Sequence, residues 1–176
     1  IVPTAEPTSV PGMWTTVGTH PGQPSVSGGM ATSGAITDWL RRLVDGEWST
    51  MLEEARCSGI GANGLLMLPY FAGERTPIAD PDARGVLAGL TVRHTRGDIY
   101  RATLEATAYA VRHHLEALRD AGVEVRELVG AGGGLLGRLW PTIVSDVTGL
   151  RQTVPSVTIG ACFGSAYLAA ELVAGP

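Results

Sequence analysis

The stretch Glu127-Leu-Val-Gly-Ala-Gly-Gly-Gly-Leu-Leu-Gly-Arg-Leu-Trp140 constrains this chain most, because four glycines lie within five residues. The apolar pair before them predicts the end of a buried strand, and a helical pattern over roughly residues 138–147 follows them. Glycine permits positive φ and close approach of a ligand, and a helix start offers free N–H groups. This glycine turn (residues 130–137) therefore predicts either a phosphate-binding turn or a tight strand-to-helix connection without a ligand.

The charge balance of the chain argues against a nucleic-acid partner. The 176 residues carry a formal net charge of −4, and the 13 basic residues are all arginines scattered along the chain. Apolar residues make up 44% and charged residues 17%, which is typical of a globular domain. Because lysine is absent, the P-loop motif G-x-x-x-x-G-K-[S/T] is excluded.

The cysteines and the hydropathy pattern bear on the compartment of the protein. No apolar run approaches the roughly 18 residues of a membrane span, and no signal peptide is visible. Cys57 and Cys162 lie far apart without metal-ligand spacing, so we expect reduced, buried thiols and no metal site. The sequence thus predicts a cytoplasmic protein with no membrane partner.

Both ends of the chain suggest that the sequence is a piece of a longer protein. The sequence begins with Ile1 and ends at Ala-Gly-Pro176. Residues 1–12 carry three prolines and no periodicity, which predicts a linker or an irregular edge. The remainder, residues 13–176, is predicted to form one domain.

The first half of that domain predicts a hairpin followed by two helices and a buried strand. Strands are predicted over residues 13–17 and 24–27, with a turn over 19–23. A helix opens at Ser33 and a second spans 49–56, with Ser49 as its cap. The continuous apolar run over residues 65–68 predicts a strand buried on both faces, and the long 70–85 loop is predicted to be solvated.

The second half predicts a long helix and two further strand-helix units. Thr95-Arg-Gly-Asp98 fits a capping box, and apolar residues recur at helical spacing as far as Leu118, with Gly122 ending the helix. Charged residues are expected on its other side, and its two histidines at the surface: Arg101, Glu105, Arg112, His113, His114, Glu116 and Arg119. Strands over 126–129 and 150–154 flank the glycine turn and its helix. A last helix opening at Thr158 is rich in small residues, which predicts close packing on a neighbour.

The order of these elements predicts an α/β layered domain in which two antiparallel strands precede parallel β-α units. Several motifs, in order, are similar to the C-terminal domain of the FGGY carbohydrate kinases, which include xylulokinases, ribulokinases and glycerol kinases. The resemblance covers about 140 residues and rests on these stretches: Leu68-Pro-Tyr-Phe-Ala-Gly-Glu-Arg-Thr-Pro77, Asp80-Pro-Asp-Ala-Arg-Gly85, Gly89-Leu-Thr91, Arg101-Ala-Thr-Leu-Glu-Ala-Thr-Ala-Tyr109, Gly132-Gly-Gly134, Trp140, Ser145-Asp-Val-Thr-Gly149 and Ile159-Gly-Ala-Cys-Phe-Gly-Ser-Ala-Tyr-Leu-Ala169.

The resemblance implies a ribonuclease-H-like (actin-like ATPase) domain, with a mixed sheet flanked by helices, that binds ATP with Mg²⁺. It places the turn Gly132–Gly134 against the phosphates and ribose of the nucleotide. Gly34 and Asp38 match two further nucleotide-lining positions, and the missing side chain at Gly34 leaves room for a ligand. Gly137 stands where relatives carry Ser or Asn, so a side-chain hydrogen bond to the nucleotide is lost there.

The resemblance also implies that the catalytic Asp and most sugar contacts belong to an N-terminal kinase domain that this sequence does not include. We therefore expect the nucleotide-binding half of a sugar kinase, inactive alone, acting on a sugar or polyol. The motif Gly73-Glu-Arg-Thr-Pro77 favours a xylulokinase-like enzyme and a pentulose substrate. Self-association into a homo-oligomer is left open. The alternative is a non-catalytic actin-like binding or regulatory module.

Overall fold

The structure is a computed structural model that describes residues 1–18, 20, 22–156 and 160–174. Within these residues, strands and helices alternate along the chain as an α/β domain. The elements are β1 (Val2–Pro3), β2 (Trp14–Val17), β3 (Pro24–Ser27), α1 (Gly34–Leu43), α2 (Trp48–Ser58), β4 (Leu66–Leu68), β5 (Val86–Ala88), α3 (Arg96–Asp120), β6 (Glu127–Val129), α4 (Leu139–Thr148), β7 (Arg151–Thr153) and α5 (Ala161–Ala174).

The strands of the described residues form three small sheets, where the sequence predicted one mixed sheet. The predicted hairpin is confirmed: β2 pairs antiparallel with β3, and β1 adds to the other edge of β3. β6 and β7 pair in parallel, because α4 crosses back between them. Thr19 and Pro21 of the predicted turn lie outside the described residues.

The predicted strand at residues 65–68 exists, but its predicted surroundings were wrong. β4 pairs antiparallel with β5 to form a hairpin. Met67 packs inward against α3, whereas Leu66 is 56% exposed and Leu68 is 40% exposed. The hairpin covers the helices with one face, so alternate side chains of an apparently continuous apolar run point outward.

Helix α3 runs through the centre of the domain, and its predicted start is confirmed. Thr95 Oγ1 accepts from the Asp98 N–H, while Asp98 Oδ2 accepts from the Thr95 N–H at 2.6 Å. Asp98 also accepts hydrogen bonds from Ser58 Oγ and Asn63 Nδ2, both at 2.7 Å. Burial raises the pKa of Asp98, but these hydrogen bonds outweigh it and hold the pKa well below its usual range. The carboxylate thereby ties α3 to the end of α2.

The core consists of three apolar clusters along α3. The largest, between α1, α2, α3 and α4, contains Leu40, Met51, Ala55, Tyr100, Leu104, Ala108, Leu139, Ile143 and Val144. The second joins α1 and α3 to the β4–β5 hairpin. The third joins α3 to Val10 and Val26. Residues 1–12, predicted to be a linker or an irregular edge, pack on the domain through β1 and the buried Val10.

Two charged residues expected on the outer side of α3 are buried, so that part of the prediction was wrong. Arg101 Nε donates to Glu105 Oε1 at 2.6 Å, and the two side chains are only 7% and 6% exposed. Glu105 Oε1 also accepts from the Gly61 N–H at 2.9 Å. The ion pair is buried because α3 is covered on two sides, by α2 and α4 and by the β4–β5 hairpin.

The 70–85 loop was predicted to be solvated, and residues 79–82 are exposed, but Gly73, Glu74 and Thr76 are buried against the segment that follows β3. Glu74 is 4% exposed, and its Oε1 accepts from the backbone N–H groups of Ala31 and Arg75. Thr76 is 3% exposed, and its Oγ1 bonds both backbone groups of Gly29. These hydrogen bonds bury a charged residue and a polar residue of the loop, so its composition was a poor guide to its exposure.

The C-terminal helix and the cysteines also differ from expectation. Thr158, the predicted start of the last helix, lies outside the described residues, and α5 leaves its apolar side chains exposed where close packing was expected. Cys57 and Cys162 are free thiols, but both are exposed, so the prediction of burial was wrong. Among the described residues, no helix is long and apolar enough to cross a membrane.

Candidate functional site

The glycine turn begins where β6 ends and is held by a few contacts. The Gly130 N–H donates to the Thr153 carbonyl at 2.9 Å, which extends the pairing of β6 with β7. Gly132 has φ +103°, a conformation that favours glycine, and a 3₁₀ turn over Gly133–Leu135 follows. Leu135 is buried and anchors the turn against the domain.

The helix predicted over roughly residues 138–147 is confirmed as α4, which begins at Leu139, beyond the last glycine of the turn. Its N-cap is Arg138, which makes no side-chain capping bond. Gly132, Gly134 and Gly137 have the spacing G-x-G-x-x-G, yet a 3₁₀ turn occupies the place where a dinucleotide fingerprint opens its helix. The free N–H groups nearest the glycines are those that begin the 3₁₀ turn, Gly133 and Gly134.

A cavity of about 670 Å³ lies beside the glycine turn, between the start of α1, α2, α3 and the start of α4. It gathers residues that are distant in sequence, and its lining is mostly apolar. The lining residues are Ser33, Gly34, Thr37, Trp48, Leu52, Tyr100, Leu104, Thr107, Ala131, Gly133, Gly134, Leu136, Gly137 and Trp140.

Four of the six predicted nucleotide-binding residues line this cavity: Gly34, Gly133, Gly134 and Gly137. Gly132 directly precedes Gly133 and is not among the lining residues. Asp38 lies one turn beyond Gly34 on α1, where its carboxylate pairs with Arg41 at 3.1 Å and Arg42 at 3.3 Å. The structure thus brings the glycines of two distant segments together and places Asp38 in a surface ion pair.

Three aromatic side chains form much of the cavity wall, and the sequence pattern did not assign them to it. The rings of Trp48 and Tyr100 lie 6.5 Å apart, and the guanidinium of Arg41 lies 5.4 Å from the Trp48 ring. Trp140 Nε1 donates to Thr107 Oγ1 at 2.8 Å, which fixes the indole. Tyr100 follows the core periodicity of α3, and Trp48 belongs to no motif. Of the three, only Trp140 was marked in the sequence, as one of the residues that carry the resemblance.

The chemistry of the cavity suits a flat, largely apolar group joined to an anion. Burial raises the pKa of Tyr100 above its ordinary value. Aromatic and aliphatic walls favour a ring system, and the glycines at one side of the cavity allow a ligand to approach the backbone closely. Within the described ranges, no three His, Cys, Asp or Glu side chains converge as a metal site.

Comparison with known proteins identifies relatives of this domain. The model of the C-terminal domain of the FGGY family of carbohydrate kinases matches residues 1–172. The chain is 32% identical over 152 residues to the xylulose kinase of Staphylococcus xylosus, covering 85% of this chain and 32% of that protein. It is 36% identical over 164 residues to the glycerol kinase of Roseiflexus sp. (strain RS-1), covering 90% of this chain and 33% of that protein.

Comparison with solved structures also finds carbohydrate kinases. The domain superposes on the xylulose kinase of Rhodospirillum rubrum with a TM-score of 0.86 and 33% identity, over 98% of this chain and 36% of that one. The fold is therefore the mixed α/β, actin-like ATPase domain of these kinases. The chain spans about a third of the length of its relatives and matches their C-terminal part. Those relatives are divided between xylulose kinases and glycerol kinases.

Proposed function

Because this chain belongs to the FGGY family of carbohydrate kinases as a C-terminal domain, we propose that it forms the nucleotide-binding half of a kinase that phosphorylates a sugar hydroxyl. Kinases of this family use ATP. One observation carries the proposal: a single cavity gathers Gly34 and the glycines at 133, 134 and 137 beside three aromatic side chains. In this arrangement the nucleobase lies between the aromatic walls and the phosphates approach the glycine turn.

We expect the rest of the nucleotide site to come from outside this chain. Phosphoryl transfer depends on positioning and on charges placed on several sides of the phosphates. Mg²⁺ is usually held by substrate phosphates with one or two carboxylates. Since no carboxylate lines the cavity, we assign none of the described residues to Mg²⁺. The catalytic Asp and the magnesium-positioning carboxylates are expected in the N-terminal kinase domain.

The proposed substrate is a pentulose. The motif Gly73-Glu-Arg-Thr-Pro77 favours the xylulokinase-like members, and xylulose kinases are among the relatives. A glycerol kinase is also a relative at comparable identity, so the sugar needs a direct test. The full-length protein should be assayed with ATP against D-xylulose, D-ribulose, L-ribulose and glycerol. A pentulose should give the highest kcat/KM, and a preference for glycerol would contradict the assignment.

The same panel separates the kinase from the alternative function. A non-catalytic actin-like binding or regulatory module would bind nucleotide but phosphorylate none of the four compounds. The isolated chain should also be inactive, because the groups on the far side of the phosphates are absent. Turnover by the isolated chain at about 1 per second or more, an ordinary enzyme rate, would contradict the proposed division of the site.

Nucleotide binding by the isolated domain should be weak. A charge-assisted hydrogen bond contributes about 1.5–3 kcal/mol. Losing two such contacts to the β- and γ-phosphates weakens binding by about a hundredfold or more. Calorimetry with ATP and ADP tests this expectation. A tight, low-micromolar complex would mean that this half carries the whole nucleotide site.

A further inference from the structure

The indole ring of Trp140 lies against the glycine turn. A Cβ atom on Gly134 would lie 3.4 Å from Trp140 Cε3 and 3.7 Å from Cζ3, which is van der Waals contact, so the ring occupies the space beside this glycine. Trp140 belongs to the first turn of α4, and both residues line the cavity. The position of the indole therefore limits where the backbone of the glycine turn can lie.

The glycine turn has few restraints of its own. Within its 3₁₀ turn, the Leu135 N–H donates to the Gly132 carbonyl at 3.3 Å, and the next bond, from Leu136, is 3.2 Å long. Both are longer than the usual 2.9–3.0 Å. Arg138, the N-cap of α4, makes no side-chain capping bond. Since glycine loses more conformational freedom on folding than any other residue, a side chain packed on the turn contributes to its order.

Thr107 of α3 fixes the orientation of that side chain. Its Oγ1 accepts from Trp140 Nε1 at 2.8 Å and donates to the Leu104 carbonyl at 2.9 Å, and the residue is only 3% exposed. An indole N–H is a donor only, and a hydroxyl whose single proton is committed to a carbonyl offers only its lone pairs. The two groups are therefore matched, and the hydroxyl has no free proton for a ligand.

Resting on the proposed function, we infer that Thr107 is a positioning residue for the nucleotide. The hydrogen bond holds the indole of Trp140, and the indole holds Gly134 and the rest of the glycine turn in place. Loss of the bond leaves a partly buried N–H without its partner and frees the ring to move. The nucleotide must then order the turn as it binds, which lowers its affinity.

The first test removes the acceptor while keeping the shape of the side chain. In the full-length protein, Thr107→Val should raise the KM for ATP about threefold to tenfold. kcat and the KM for the sugar should stay close to their original values, because loss of ground-state binding raises the KM of the affected substrate alone. Thr107→Ser keeps the oxygen and should restore most of the affinity for ATP. An unchanged KM for ATP in a folded Thr107→Val protein would overturn the inference.

Thr103 provides a matched control in the same helix. Its Oγ1 donates to the Ile99 carbonyl at 2.8 Å, and the residue is fully buried. It does not line the cavity. Thr103→Val therefore makes the same chemical change about one turn earlier in α3 and should leave the KM for ATP unchanged. A rise equal to that of Thr107→Val would mean that any lost hydroxyl in α3 has this effect, and would overturn the inference.

A double-mutant cycle with Trp140→Phe separates positioning from direct contact. Phenylalanine keeps an aromatic ring but lacks the N–H, so this variant should itself raise the KM for ATP. Adding Thr107→Val to it should cause no further rise, because the bond between the two side chains is already absent. A further rise equal to that of the single Thr107 variant would make Thr107 a direct contact of the nucleotide and would overturn its role as a positioning residue.

The outcomes distinguish this inference from the proposed function. If the Thr107→Val protein does not fold, Trp140→Phe still decides, since an unchanged KM for ATP would mean that the hydrogen bond does not position the turn. Either negative result, with an active unmodified protein, would leave the kinase function intact. Absence of turnover by the unmodified full-length protein with every compound of the panel would overturn both.

Discussion

The 70–85 loop and the glycine turn are both irregular and glycine-bearing, but Gly73 and Gly85 of the loop have surroundings opposite to those of Gly132 and Gly133 of the turn. A methyl group on Gly73, in the 70–85 loop, would lie 2.6 Å from the Pro81 carbonyl oxygen, and one on Gly85 would overlap the Phe71 ring. In the glycine turn, a methyl group on Gly132 or Gly133 would have no heavy atom within 4 Å. Gly73 and Gly85 are thus enclosed by the protein itself, while Gly132 and Gly133 face open space.

This difference separates two reasons for a glycine. In the 70–85 loop, Gly73 and Gly85 must be glycine because the backbone of Pro81 and the ring of Phe71 leave no space for a Cβ atom. At Gly133 neither crowding nor positive φ requires it, so folding gives no reason for the residue. Close approach of a ligand to the backbone is the remaining physical reason. Substitutions in the two segments should therefore act on different properties, stability in one and nucleotide binding in the other.

The largest effect is expected from Gly73→Ala. Gly73 has φ +73°, so alanine there incurs the left-handed penalty as well as the clash with Pro81. Together these terms should lower the free energy of unfolding by about 2–4 kcal/mol. Urea denaturation followed by circular dichroism measures the change.

A matched control separates the two terms for Gly73. Gly122, which follows α3, has φ +80°, and a methyl group there would have no heavy atom within 4 Å. Gly122→Ala should therefore cost only the conformational term, about 1–2 kcal/mol. Equal losses at the two positions would mean that the crowding around Gly73 relaxes freely.

The next effect concerns the hydroxyl that ties the 70–85 loop to β3. Thr76 Oγ1 accepts from the Gly29 N–H at 2.6 Å, donates to the Gly29 carbonyl at 3.0 Å and lies 2.7 Å from His114 Nε2. Thr76→Ala should lower the free energy of unfolding by about 1–3 kcal/mol, because it leaves these partly buried groups without their partner. Thr76→Ser keeps the oxygen and should recover most of the loss. If serine and alanine are equally destabilising, the hydroxyl is not the anchor.

The elements that the sequence predicted correctly are those set by local chemistry. The β2–β3 hairpin, the Thr95–Asp98 capping box and the stop at Gly122 each depend on a few adjacent residues. The apolar run over residues 65–68 gave the wrong prediction of a strand buried on both faces, because its inward and outward side chains are equally apolar. The burial of Glu74 was not predicted, because one of its two backbone partners is the N–H of Ala31, 43 residues away in sequence. A pattern confined to one segment carries no information about such a partner.

The candidate site was predictable only in part, for a similar reason. The glycines at 34, 133, 134 and 137 came from a resemblance in motifs, and the fold brings them to one cavity. Trp48 and Tyr100 join that wall through the packing of α2 on α3, although Tyr100 has the spacing of a core residue. The Thr107–Trp140 hydrogen bond likewise exists only in three dimensions.

Gly133→Val tests whether the glycine turn contacts the nucleotide. A Cβ atom at this position would have no heavy atom within 4 Å, and a branched side chain would project where the nucleotide is expected to approach. In the full-length enzyme the KM for ATP should rise about tenfold or more, a loss of about 1.4 kcal/mol of binding. The free energy of unfolding should change by less than about 1 kcal/mol. Unchanged ATP kinetics in a folded variant would count against the glycine turn as the nucleotide contact.

The smallest effect is expected from Gly133→Ala. This substitution also distinguishes the 70–85 loop from the glycine turn most clearly. Residue 133 opens a 3₁₀ turn without positive φ, and a methyl group there meets no heavy atom within 4 Å. Alanine at a compatible position stabilises a protein by about 0.4–1 kcal/mol, because it restricts the unfolded chain. The domain should therefore become slightly more stable in urea while its affinity for ATP falls. A glycine retained at the expense of stability is expected where a ligand needs the space. A loss of stability above about 1 kcal/mol would instead make Gly133 a folding requirement, like Gly73, and would remove the contrast between the two segments.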